Sequence, residues 1–223
     1  MTDLILSKCV PEDTPELART HREIFSRPPI YQVIYAGADP ASVIDKYERG
    51  FRAGIEGQSG AGTSREATYL KVCDRRSNRI AGYIVWVYMP DGYNFDEDAQ
   101  LHADDLPAGS NLELAREFKG VIASSRGLHE GRQGPHYLIA LLGTHPDFER
   151  RGVASMLIRY MFDKADQDSL PCYVDSSVMA QALYRRHGFV DVNTIDVDLD
   201  RFEGGKGRGM QRWYGMMRSP IHG

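Results

Sequence analysis

Arg150, Arg151, Gly152 and Ala154 stand together where a Pro-punctuated turn, THPDFERRG (144–152), runs into a helical pattern. Val153, Leu157, Tyr160, Met161 and Ala165 repeat there at helix spacing. The first N–H groups of a helix have no intrahelical partner and lie at the positive end of its dipole, so an anion placed there meets aligned donors. Gly152 and Ala154 leave the backbone bare, and two arginines add forked charge that suits pyrophosphate oxygens. Read alone, so short a pattern is more simply a solvated charge pair followed by a helix start. Context has to decide.

The elements around this junction can be read from hydrophobic periodicity. HYLIALLGT (136–144) is an apolar run of central-strand type, and PCYVDSS (171–177) is the next strand, so strand, helix and strand over 136–177 predict a parallel crossover. Upstream, LILSKCV (4–10) predicts a strand and Asp13-Thr14-Pro15 opens a helix over about 15–26, which RPPIY breaks. Asp39-Pro40 opens a second helix through Val43, Ile44, Tyr47 and Phe51. GIEGQSGAGTS (54–64) reads as a loop, and TYLKVCD (68–74) with IAGYIVWVYM (80–89) as an antiparallel hairpin. Residues 90–135 are polar around one helix-like segment (111–125) and read as an insertion before the fourth strand of one domain, 1–223. MAQALYRRHG (179–188) predicts a short helix stopped by Gly188, followed by two final strands. The expected fold is α/β: a mixed, mostly antiparallel twisted sheet flanked by helices.

Composition narrows the partners. The 223 residues carry 27 basic and 31 acidic side chains, a net charge of −4, so nucleic acid is not an expected partner. Cys9, Cys73 and Cys172 are an odd, widely spaced set without paired ligand spacing, which predicts neither disulfides nor a metal. No apolar run approaches the ~18 residues needed to span a bilayer, so the reading is a soluble, cytoplasmic chain that takes a small ligand, as monomer or homodimer.

The run Leu142–Ser155 (LGTHPDFERRGVAS) resembles the cofactor-binding segment of the GNAT acyltransferase superfamily, Q/R-x-x-G-x-G/A after an apolar strand. The match occupies Glu149, Arg150, Arg151, Gly152, Val153 and Ala154, with Glu149 where the signature has Gln or Arg. AQALYRRHGFVDV is similar to the family's second segment, through Leu183, Tyr184, Gly188 and Phe189. The resemblance implies a GNAT fold and acetyl-CoA as acyl donor, with no metal. It implies that the amides of Arg151, Gly152, Ala154 and Ser155 hold the pyrophosphate beside Arg150, and that Leu142, Gly143 and Thr144 pair with the pantetheine arm and point an N–H at the thioester carbonyl.

By the same resemblance Tyr184 is the general acid that protonates the leaving thiolate, where the tyrosine taken by itself is an ordinary packed ring. Ser177 resembles a coenzyme A contact and is equally a plain strand-end serine. The general base is open: His136, at the start of the central strand and acting through a water, is preferred, with Asp175, Glu113 and Glu117 conceivable and His145 assigned to the turn before Pro146. GGKGRG (204–209) lacks the P-loop spacing and a following helix, and Cys172 reads as a buried strand thiol. The expected activity is acetyl transfer to a small-molecule amine in a ternary complex. The alternatives are a protein or peptide N-acetyltransferase and a non-catalytic acyl-CoA-binding module.

Overall fold

The computed structural model describes residues 3–57, 65–93, 100–129 and 134–221. Its strands are β1 (Leu4–Lys8), β2 (Glu66–Asp74), β3 (Ile80–Met89), β4 (His136–Thr144), β5 (Cys172–Ser177), β6 (Val190–Asp198) and β7 (Met210–Arg218). The helices among the described residues are α1 (Thr14–Phe25), α2 (Pro29–Ile34), α3 (Pro40–Ile55), α4 (Leu112–His129), α5 (Val153–Gln167) and α6 (Val178–Arg186). The strands form one open sheet in the order β1-β2-β3-β4-β5-β7-β6, parallel only between β4 and β5. That single parallel step is the crossover carried by α5, because a strand returning in the same direction needs a helix-length connection. The mixed, mostly antiparallel sheet flanked by helices is therefore present.

Local rules explain most boundaries. Asp39 caps α3 by accepting from the Ser42 N–H at 3.0 Å, with Pro40 in the first turn. The β2–β3 hairpin turns through Asp74, whose carboxylate accepts from the Ser77 N–H at 3.0 Å, and through left-handed Asn78. RPPIY does end α1, but it also starts α2, a helix that periodicity does not predict. Pro28 and Pro29 sit before and at the first helical position, where a missing N–H and a fixed φ cost nothing. The loop expected over 54–64 lies outside the described residues from 58 onward.

Three apolar clusters position the site. Leu70, Ile84, Trp86, Tyr137 and Ile139 pack under α5 through Val153, Leu157, Ile158 and Met161. On the opposite face Leu17, Ala18 and Phe51 of α1 and α3 cover Tyr83 and Val85. A third cluster joins Ile30, Val33 and Ile34 of α2 to Leu114 and Ala115 of α4 and to Ile195, Leu199, Phe202 and Trp213. Leu114 has 0% exposure, and Phe118 meets Trp213 with ring centroids 4.6 Å apart, so α4 contributes core as well as polar surface. Residues 94–99 and 130–133 of the same 90–135 stretch lie outside the described residues.

Candidate functional site

At the C-terminal end of β4 the sheet opens. Pairing with β5 covers Tyr137, Leu138 and Ile139, opposite Cys172, Tyr173 and Val174. On the other edge β4 stays paired with β3 out to Thr144, but the register shifts so that Ile139 faces Trp86 and Leu141 faces Val85. Ala140 is the extra residue, a β-bulge, and it is exposed in the middle of the sheet. The bulge reverses the alternation of side chains: Tyr137, Ile139 and Leu142 face α5, whereas Leu141 packs with the α1 and α3 cluster. Residues 140–144 thus turn one backbone edge toward the gap beside β5, with no strand partner there among the described residues. Leu142 and Thr144 are half-buried and Gly143 is buried.

Helix α5 begins at the mouth of this gap. Gly152 is its N-cap in the left-handed region, φ 84°, with no side-chain cap, and its carbonyl accepts from the Met156 N–H at 2.9 Å. A Cβ added to Gly152 would meet nothing within 4 Å, so the surface over the first turn is open. The N–H groups of Val153, Ala154 and Ser155 precede the first intrahelical donor, the Met156 N–H, and are the donors a helix start leaves over. Val153 is buried, and a Cβ on Gly82 would come within 2.6 Å of its Cγ1, so a glycine in β3 lets the helix start sit against the sheet. Arg150, left-handed at φ 60°, and Arg151 are exposed, and neither is in an ion pair among the described residues. The Arg151 guanidinium lies over the Phe148 ring, 5.2 Å from its centroid.

The loop between β4 and α5 is held by side chains from distant elements. His145 Nδ1 accepts from the Asp147 N–H at 3.1 Å, while its Nε2 contacts the Glu23 carboxylate of α1. The turn role expected of His145 is therefore what its ring performs locally. Arg79, just before β3, places Nη1 2.9 Å from Asp147, Nη2 3.0 Å from His145 Nε2 and its guanidinium over the Phe148 ring. Glu149 receives a hydrogen bond from Arg27. Both partners are about half exposed, so the pair adds little stability, but it gives the carboxylate at the unusual signature position a cation of its own.

The second motif is a helix terminus. At the end of α6 the Phe189 N–H donates to the Tyr184 carbonyl at 3.1 Å and the Gly188 N–H to that of Arg185 at 3.1 Å, with Gly188 at φ 86°. This is the Schellman pattern, which needs a left-handed residue and usually adds an apolar contact across it. Tyr184 and Phe189 supply that contact, with ring centroids 5.3 Å apart. The L-Y-x-x-x-G-F spacing therefore has a structural cause as well. Tyr184 is 3% exposed, and burial, with Asp175 nearby, raises its phenol above the ordinary value, so it stays protonated at neutral pH. Its hydroxyl makes no hydrogen bond among the described residues. Ser177 caps α6, its Oγ accepting from the Ala180 N–H at 3.3 Å.

The structure brings together Leu142, Gly143, Thr144 and residues 150–155, with Tyr184 on the helix that packs beside them. It does not bring His136 to the gap. That ring is fully buried at the opposite end of β4, with Nδ1 2.9 Å from the Gly134 carbonyl and its edge on Tyr173. Asp175 is enclosed as well, in an ion pair with Arg126 of α4 at 2.6 Å. Glu113 and Glu117 lie along a shallow groove on the flank of α4, Glu117 accepting from Arg201 at 3.2 Å. Cys172 is buried and its thiol is pushed up to about 12 by burial, which removes it as a nucleophile near neutral pH. Sequence reasoning missed Arg27, Arg79 and His187, whose Nε2 lies 3.1 Å from Ser155 Oγ. Only long-range packing reveals them.

Residues 63–189 match the model of the acetyltransferase (GNAT) family. Solved structures align over nearly the whole chain. Arylalkylamine N-acetyltransferase 2 of Aedes aegypti has a TM-score of 0.68 at 11% identity, covering 98% of this chain and 100% of its own. The polyamine N-acetyltransferase of Drosophila melanogaster, which forms N-acetylagmatine, has a TM-score of 0.65 at 13% identity, with 97% and 100% covered. A histone acetyltransferase and related acetyltransferase of Corynebacterium glutamicum has a TM-score of 0.60 at 17% identity, with 99% and 98% covered. At these identities the likeness concerns the fold. No curated protein matches the sequence.

Proposed function

The chain belongs to the GNAT acetyltransferase family, and on that premise we propose that it transfers an acetyl group from acetyl-CoA to a small-molecule amine, both bound at once. The open, uncapped start of α5 beside the β4–β5 gap carries the donor half of this reading. Pyrophosphate oxygens accept from the amides of Arg151, Gly152, Ala154 and Ser155, with Arg150 and Arg151 adding charge. The unpaired edge of Leu142, Gly143 and Thr144 takes the pantetheine arm as an added strand would be taken, and one N–H meets the charge that grows on the thioester oxygen. The neutral amine nitrogen forms the new bond to the acetyl carbon as the C–S bond breaks, the sulfur receives the Tyr184 proton, and the proton the nitrogen sheds passes through solvent to restore the phenol. Ser177 supports this site by capping α6. His136, enclosed at the far end of β4, gains no support as the base. In this reading the chain acts as one domain, 1–223, with the 90–135 insertion on the acceptor side.

A small acceptor is favoured by a roof at the open end of the sheet. The β6–β7 loop lies beyond the C-terminal end of β5, since Trp213 pairs with Ser177. It is tied to α2 through Arg208 and Gln32 at 2.7 Å, and Asn111 ahead of α4 donates to the Glu203 carbonyl at 3.1 Å. A polypeptide acceptor needs an open path between these elements, and among the described residues the loop, α2 and α4 are instead joined by one apolar cluster, with the shallow groove on the outer flank of α4. The arylalkylamine and polyamine enzymes among the structural neighbours agree with this, and the histone acetyltransferase stands for the other reading. Acetyl-CoA offered with a panel of arylalkylamines, polyamines and N-terminal peptides, with thiol release monitored, tests it. Release with a small amine is expected; release with peptides alone refutes it.

A further inference from the structure

His187 touches both halves of the proposed site. Its main-chain N–H donates to the Tyr184 carbonyl at 2.9 Å as the C-cap of α6, and its Nε2 lies 3.1 Å from the Oγ of Ser155 in the first turn of α5. The ring packs edge-on to Phe162 of α5. Three cations face it: Arg159 from α5, Arg186 from α6 and Arg218 from β7, the last held by Asp166 through two 2.8 Å hydrogen bonds. Burial first, and then these arginines, lower its pKa, so the imidazole is neutral at physiological pH and has one nitrogen to give and one to receive.

We propose that His187 is a positioning residue for donor binding: it holds the Ser155 hydroxyl so that the first turn of α5 is preorganised for an anion and kept at a set distance from Tyr184. The proposal rests on the assignment of α5 as the pyrophosphate site. A serine in the first turn otherwise turns its oxygen onto nearby backbone N–H groups and competes with a ligand for them. Among the described residues Oγ is bonded to His187 and to no backbone N–H, so those N–H groups stay open. When Nε2 donates, the hydroxyl keeps its own proton for a phosphate oxygen, and a donor polarised in this way is the stronger one. The residue acts through Ser155 and need not touch the donor itself.

The test uses coenzyme A as the probe and calorimetry on the full chain. His187→Ala should weaken binding about tenfold, the scale of one preorganising hydrogen bond. His187→Gln, whose amide nitrogen can reach the same hydroxyl, should recover most of that loss. In a Ser155→Ala background His187→Ala should add less than about twofold, because coupled residues are not additive. Unchanged binding by His187→Ala overturns the proposal. So does full additivity, and so does a glutamine variant no better than alanine, which marks a packing role. Gly152→Asp serves as the reference: if it leaves coenzyme A binding intact, the assignment of α5 as the phosphate site has failed, whatever His187 does.

Discussion

A carboxylate at position 152 meets two separable penalties, and their sizes differ enough to be measured apart. Gly152 caps α5 at φ 84°. Any L-side chain there costs about 1–2 kcal/mol of left-handed strain. Gly152→Ala carries that cost alone, since a Cβ at this position meets nothing within 4 Å. At ~2–4 °C per kcal/mol for a chain of this size, the alanine and aspartate variants should both melt about 2–8 °C below the parent. Coenzyme A binding should then divide them. A carboxylate about 5 Å from one pyrophosphate charge repels it by about 0.8 kcal/mol in water-like surroundings and about 3 kcal/mol at an effective dielectric of 20. The aspartate variant should therefore bind about 4- to 150-fold more weakly than the alanine variant. Added salt should shrink the gap, because an exposed repulsion is screened within a Debye length of about 10 Å at 0.1 M. Calorimetric titration of both variants at low and high salt reads this directly. Equal dissociation constants for the two would show that the anion does not sit at the α5 start.

Tyr184→Phe keeps the ring against Phe189 and removes a hydroxyl that makes no hydrogen bond among the described residues, so the melting temperature should hold while single-turnover transfer falls roughly ten- to a thousandfold. Because burial raises this phenol's pKa, the parent's advantage should stay flat up to about pH 10, where an unperturbed tyrosine would already be half ionised; equal rates, or an advantage already fading near pH 8, would remove it as the acid. Leu114→Ala empties a fully buried position in the cluster shared by α2, α4 and the β6–β7 loop and should cost about 2–5 kcal/mol. A melting temperature equal to the parent's would show that α4 is dispensable to the core.

The sequence by itself determined the features that depend on contacts a few residues apart. The seven strands, the helices after Asp39-Pro40 and after Gly152, and the stop at Gly188 rest on periodicity, caps and φ restrictions, and these act through the local backbone. For the same reason the bare helix start at 150–155 is legible in the sequence. The short helix at Pro29–Ile34 is not legible in the sequence because a double proline reads equally as a break and as a first turn, and only packing onto α4 and the β6–β7 loop selects the second. The tertiary structure decided the rest. Burial of His136 depends on Tyr173 from the neighbouring strand, the Glu149 charge is met by Arg27 from the end of α1, and the link from His187 to Ser155 crosses 32 positions of chain. The gap itself comes from a bulge at Ala140 and the end of pairing with β5, properties of strands brought together from far apart. Periodicity says which face of an element is apolar, but which distant side chain meets that face is settled only when the whole chain minimises its exposed apolar surface at once.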